Sequence, residues 1–320
     1  MSRDRGAPAV GGERGGPAVP AVGADDDGVA PFWERLGLPG AIDLHVHFMP
    51  ERVLRKVWAY FDAVGDHGLD LRWPITYREH EDARVARLRD LGVRRYGALA
   101  YAHRPGMAAW LNAWLAGFAA RVPAALHCAT FHCEPEADAD VATALEAGAR
   151  LFKVHLQVGA FDPRDALLRP VWRRLAAAGV PVVVHAGSGP RPGPFTGPGV
   201  FGEVLAAHPD LVAVIAHMGM PEYQGFWDLA LRYPHVHLDT TMAFTGFAER
   251  IAPFPRDLVP RLAEHPDRVV LGSDFPNIPY PYAHQVAALA ALDLGAAWLR
   301  AVCWHNPARL IGEGGGTTRP

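Results

Sequence analysis

The stretch Asp43-Leu44-His45-Val46-His47-Phe48 sets two imidazoles one residue apart in an otherwise apolar run. In an extended strand, side chains at i and i+2 point to one face, so His45 and His47 stand side by side. Imidazole is a good ligand for zinc and its neighbours, and a pair on one strand face offers two of the donors such an ion needs. Comparable residues recur along the chain. They are Lys153 and His155 in Leu-Phe-Lys-Val-His, His185 in Val-Val-Val-His-Ala-Gly, His217 in Val-Ile-Ala-His-Met-Gly, Asp239 in His-Leu-Asp-Thr-Thr and Asp274 in Gly-Ser-Asp-Phe-Pro. A single histidine at a strand end is more often a hydrogen-bonded structural residue than a ligand. Four histidines, His45, His47, His185 and His217, and one aspartate, Asp274, at the same end of the first, fifth, sixth and eighth runs are a different matter. Burying that many unpaired polar groups costs several kcal/mol unless something binds them, and a divalent metal does so.

Each of these residues ends a short apolar run. The runs cover 41–48, 96–101, 124–131, 149–156, 180–187, 211–219, 236–242 and 268–276. Between them lie segments with helical spacing of apolar residues, some ending at a glycine, such as Gly148 and Gly179. Near-continuous apolar strands alternating with helices imply parallel strands buried on both faces. Eight such units in roughly 250 residues predict a (β/α)8 TIM barrel. An open doubly wound sheet is the runner-up, and the first βα connection lacks the Gly-x-Gly-x-x-Gly fingerprint of its nucleotide-binding form. In a barrel the C-terminal strand ends form one ring around a single mouth, so residues over 200 positions apart converge there.

The 320 residues are 50% hydrophobic, enough for a large core, and the formal net charge is −3. Residues 1–38 are dominated by Gly, Pro, Ala and charge and read as a disordered tail that docks near its end at most. Residues 39–312 form the barrel domain, and 313–320 a second flexible tail. No long basic run points to nucleic acid. No apolar run reaches the ~18 residues of a membrane span, and the N-terminus lacks the apolar region of a signal peptide. Three cysteines, Cys128, Cys133 and Cys303, fit no zinc ribbon and cannot all pair, so a reducing cytoplasm is the plain reading. The expected partner is a small-molecule substrate, and a homodimer is compatible with the sequence.

The motifs Asp43–Pro50 (DLHVHFMP), VVVHAG, IAHMGMPE, GSDFP and the closing HNPARLIG together resemble the amidohydrolase superfamily. The resemblance is to its amidohydrolase-related branch, which also holds aminocarboxymuconate-semialdehyde decarboxylase-like enzymes. It spans about residues 40 to 312. It implies one divalent ion, in the first place zinc, held by His45, His47, His185 and Asp274. Asp274 would also handle the proton of the attacking water, and His217 would act as base or electrophile. Lys153 stands on the strand where some superfamily members carry a carboxylated lysine bridging two metals, so a binuclear site is the lesser alternative. The implied activity is hydrolysis of a small amide, ester or lactone by metal-activated water. The alternative is non-oxidative decarboxylation of a carboxylated substrate on the same scaffold. His155, Lys153, Arg104 and Arg191 are the candidate substrate contacts, with the two arginines as anchors for an acidic group. Asp239 either orients His217 or bonds to backbone, and the Gly- and Pro-rich segment 187–199 is a candidate substrate loop. A non-catalytic barrel would leave all these ligands idle.

Overall fold

The computed structural model describes residues 19–67 and 71–313. Residues 1–18 of the expected N-terminal tail and nearly all of the C-terminal one, 314–320, lie outside the described residues. Nine strands follow in chain order: β1 Ala41–His47, β2 Val93–Leu99, β3 Ala125–Leu126, β4 Cys128–Thr130, β5 Leu151–His155, β6 Val182–His185, β7 Ala213–Ile215, β8 Val236–Asp239 and β9 Val269–Val270. Every pairing is parallel, in the orders β1-β2-β3 and β4-β5-β6-β7-β8-β9. The expected third strand is cut in two at His127, whose carbonyl accepts from the Arg150 amide. β3 then pairs with β2 and β4 with β5. Counted as one, they leave the eight strands of a TIM barrel. Backbone bonds also join β1 to the segment after β9: Leu44 N to Leu271 O, Asp274 N to His45 O and His47 N to Phe275 O, at 3.0, 2.8 and 2.7 Å.

Alternation along the strands separates two cores. Ile42, Leu44, Leu126, Leu151, Val183, Val214 and Val270 fill the interior. Their neighbours, such as Phe152, Val154, Val182, Val184 and Ile215, face the surrounding helices. Two positions beyond Leu151 comes Lys153, then His155, and two beyond Val183 comes His185, so the polar residues form the layer above the apolar interior. Strict alternation would place His45 and His47 on the opposite face from Ile42 and Leu44. A register shift between Asp43 and Val46 in β1 absorbs the difference, as a β-bulge does when it re-aims a side chain. Helices follow the strands on the outside. Arg169–Ala178 stops at Gly179 in the left-handed conformation (φ 58°), as its sequence predicts. Among the described residues no helix is long and apolar enough to cross a membrane.

The packed chain begins before the boundary at residue 39 that composition suggested. Val29–Arg35 is a helix with Val29, Phe32 and Trp33 buried, and the Trp33 indole donates to Leu91 O at 3.0 Å. Just ahead of it, Asp26 accepts from the Tyr77 hydroxyl (2.6 Å) and from Ala283 N (3.1 Å). These partners lie 51 and 257 positions away, which is why local composition did not reveal them. Deleting residues 1–30 is therefore expected to lower the melting temperature rather than leave it unchanged. Asp26→Ala alone should cost about 1–3 kcal/mol, because it strands two donors. Thermal melts of the two variants check this.

Candidate metal centre

β1 supplies His45 and His47, and the turn after β9 supplies Asp274. One ligand atom from each of these three buried residues lies within 4.8 Å of the other two. Asp274 Oδ1 is 2.9 Å from His47 Nε2 and 3.5 Å from His45 Nε2. The far nitrogen of each ring is tied back. His45 Nδ1 donates to Asp239 Oδ2 at 2.8 Å, and His47 Nδ1 donates to Leu99 O at 3.1 Å. Both rings therefore turn Nε2 toward Asp274, the orientation of metal-binding histidines whose far nitrogen is held by a carboxylate or carbonyl.

Asp239, at the end of β8, has the wider role. Besides His45 it accepts from His217 N (2.8 Å) and Thr241 N (3.1 Å) through Oδ1. Both expectations for it are met in part: it bonds to backbone, and the backbone it bonds is that of His217, while the ring it orients is that of His45. Burial alone would raise its pKa. The His45 imidazole and its hydrogen bond, with His217 and Lys153 nearby, outweigh burial and hold the carboxyl well below the usual range. Burial pulls the same way on Asp274, where the hydrogen bond from His47 and the surrounding imidazoles prevail and keep it ionised.

His217 sits in a left-handed turn (φ 56°), and its Nδ1 is buried with no hydrogen-bond partner. Lys153, only 1% exposed, places Nζ 3.2 Å from His45 Nε2. Burial lowers its ammonium pKa to about 8, against the pull of Asp239 and Asp274. His155 is level with His185 across the β5–β6 pair, and their rings stack at 3.8 Å. His185 thus joins the cluster of rings but not the three-donor group, and its Nε2 donates to Gly189 O at 2.9 Å. Arg104 and Arg191 are exposed. His132, a loop residue near the mouth, bonds Gly159 O at 3.1 Å instead.

One participant was missed. Six rings form a closed circuit: His47, His45, His217, His185, His155 and Tyr101. Centroid separations around it are 5.1, 5.3, 4.8, 3.8, 5.1 and 5.8 Å. Tyr101 ends the run Tyr-Gly-Ala-Leu-Ala-Tyr, so its position at the mouth end of β2 was the available signal.

The Asp274 turn is fastened from the β1–β2 connection. Asn277 N donates to Asp274 O at 2.8 Å. The Trp58 indole donates to Asn277 Oδ1 (3.0 Å) and the Trp73 indole to Asn277 O (2.7 Å). Arg78 and Arg84 lie over the Trp58 ring at 5.6 and 5.7 Å.

The donor set fits a divalent ion: two imidazoles with oriented Nε2 atoms, an ionised carboxylate and, beside them, a buried nitrogen with no partner among the described residues. Its acid–base balance also predicts how the metal-free protein responds to pH. Burial, reinforced by Lys153, lowers His45 from 6.5 to about 3, opposed by Asp239. Between these values the unfolded chain carries a proton that the folded one refuses. The associated stability is complete above pH 6.5 and drains as the pH falls toward 3, at about 1.4 kcal/mol per pH unit for each such group. His155, His185 and His217, all lowered by burial first, act in the same direction. Asp43, which burial raises to about 7, acts oppositely and loses its contribution as the pH rises. Urea melts of metal-free protein should therefore show a marked fall in stability from pH 7 to pH 5.

Comparison with known proteins follows the same lines. The family model described as amidohydrolase matches residues 42–312. An uncharacterised TIM-barrel protein from Bordetella bronchiseptica superposes with a TM-score of 0.69 at 19% identity, over 87% of this chain and 100% of that one. A 5-carboxyvanillate decarboxylase from Sphingomonas paucimobilis gives 0.56 at 14% identity, over 85% and 99%. A dihydroorotase from Campylobacter jejuni gives 0.53 at 13%, over 88% and 84%. At these identities the likeness is one of fold. No curated protein sequence matches the chain.

Proposed function

This chain belongs to the amidohydrolase family, and from that premise we propose that it is a metal-dependent hydrolase of a small amide, ester or lactone. The observation that carries the reading is the buried His45–His47–Asp274 group with both histidine Nδ1 atoms tied back. These three residues hold the ion, and His185 is the fourth donor of this reading. Zinc suits a set of imidazoles and a carboxylate. When bound, such an ion polarises a carbonyl and acidifies water.

The chain's own residues supply the rest. Asp274, ionised at rest, accepts the proton of the attacking water on a carboxylate oxygen and passes it to the leaving group. His217, kept neutral by burial, faces the reacting carbonyl with its unpartnered Nδ1 and steadies the charge that develops on oxygen. Lys153 places a positive charge beside His45 and Asp274. A decarboxylase reading would call for guanidinium groups at the mouth to anchor a carboxylate, and Arg104 and Arg191 are both exposed.

The test is metal analysis of purified protein, followed by assay of esters, lactones, amides and aromatic acids before and after chelation. One equivalent of metal and chelator-sensitive hydrolysis are expected. Carbon dioxide release from an aromatic acid, with no hydrolysis, would replace this reading by the decarboxylase. His217→Asn should lower turnover and leave the metal stoichiometry unchanged, whereas a halved metal content would show a second ion.

A further inference from the structure

Tyr101 occupies one place in the circuit of rings, between His47 (5.8 Å) and His155 (5.1 Å). Packing explains its ring but not its hydroxyl, since phenylalanine would make the same ring contacts. Tyr77, Tyr223 and Tyr282 have their hydroxyls committed, to Asp26, Ala252 O and Asp43, whereas the unpartnered hydroxyl of Tyr96 is buried away from any ligand. The Tyr101 side chain is only half-buried, and its hydroxyl makes no hydrogen bond with the described residues. The segment that carries it is fixed on the centre, because Leu99 O, two residues earlier, is the carbonyl that orients His47. A phenol is a neutral hydrogen-bond donor through the physiological range. A neutral donor beside a metal centre complements an oxygen that gains negative charge, without competing for the ion as a carboxylate or a neutral imidazole would.

We propose that Tyr101 is a catalytic residue that donates a hydrogen bond to the reacting oxygen of a carbonyl substrate, an assignment that rests on the metal-centre reading above. It makes the substrate's oxygen the meeting point of two protein groups, Tyr101 on the β2 side and His217 on the β7 side.

The experiment loads full-length wild type, Tyr101→Phe and Tyr101→Leu with zinc. It measures zinc stoichiometry and the dissociation constant of acetohydroxamic acid, a small metal-binding carbonyl compound, by calorimetry. All three proteins should hold the same zinc. Tyr101→Phe, which loses one oxygen and keeps the ring, should bind acetohydroxamate roughly 10- to 100-fold more weakly, the range for a hydrogen bond to a charged group. Tyr101→Leu should be at least as impaired. If Tyr101→Phe binds like wild type, the hydroxyl is idle and the proposal fails, even where Tyr101→Leu is weakened through lost packing. If Tyr101→Phe loses zinc, the residue serves the ion and not the substrate, and the proposal fails. If wild type takes up no zinc, the metal-centre reading itself falls and carries this proposal with it.

Discussion

Asp274→Asn is expected to keep much of its metal while turnover falls by roughly 10²–10⁴-fold, the usual worth of a positioned acid–base group. The substitution is suited to the question because it disturbs little else. Asp274 lies at φ 75°, a left-handed backbone that asparagine tolerates better than most residues. The amide keeps one oxygen that can ligate and accept, but it cannot take a proton at neutral pH. His45 and His47 retain the backbone and side-chain bonds that aim them, apart from those to Asp274 itself. The measurement is metal stoichiometry beside kcat on whichever ester, lactone or amide the wild type turns over. Near-full activity would remove Asp274 as the proton carrier and leave only its ligand role.

Asp239→Asn should act on the metal without touching it. An amide nitrogen in place of Oδ2 meets His45 Nδ1 with a donor where an acceptor stood. His45 answers by moving its proton to Nε2, and the lone pair aimed at Asp274 is lost. Metal affinity should fall about 10- to 100-fold, as is typical when the group behind a metal-binding histidine is altered. Oδ1 still accepts from His217 N and Thr241 N, so stability should change much less. Asp239→Ala removes all three acceptor contacts and strands buried donors at about 1–3 kcal/mol each. Competition against a chromophoric chelator reads the first effect and thermal melts read the second. Equal metal affinity in Asp239→Asn and wild type would mean that His45 is not a ligand through Nε2.

The strand-end residues were legible because two regularities act together. Apolar runs fix where strands stop, and period-two alternation fixes which side chains face inward. His155, His185 and Lys153 follow from those two rules, whereas His45 and His47 owe their strand end to the first rule and their face to the register shift in β1. What the rules could not give depends on contacts between distant segments. The register shift in β1 has no marker in Asp43-Leu44-His45-Val46. The break at His127 arises because β3 and β4 pair with different neighbours. The engagement of His185 by Gly189 O belongs to loop geometry, as does the exposure of Arg104 and Arg191. The docking of Asp26 on Tyr77 and Ala283 joins the beginning of the described chain to its last quarter.

The indole clamp on Asn277 has a consequence for the height of the reaction barrier. When a carboxylate in water changes its protonation state, the solvent dipoles around it must turn, and that turning costs free energy at every event. Around the Asp274 carboxylate stand the imidazoles held by Asp239 and Leu99, and its own backbone is held by the Asn277 amide, which Trp58 and Trp73 fasten in turn. Their orientation is settled when the chain folds, so little remains to reorganise when Asp274 gains or loses its proton. On this account Asn277→Ala should slow turnover even where metal content and substrate affinity are unchanged, because the polarisation once fixed by folding would have to be rebuilt from water in each catalytic cycle.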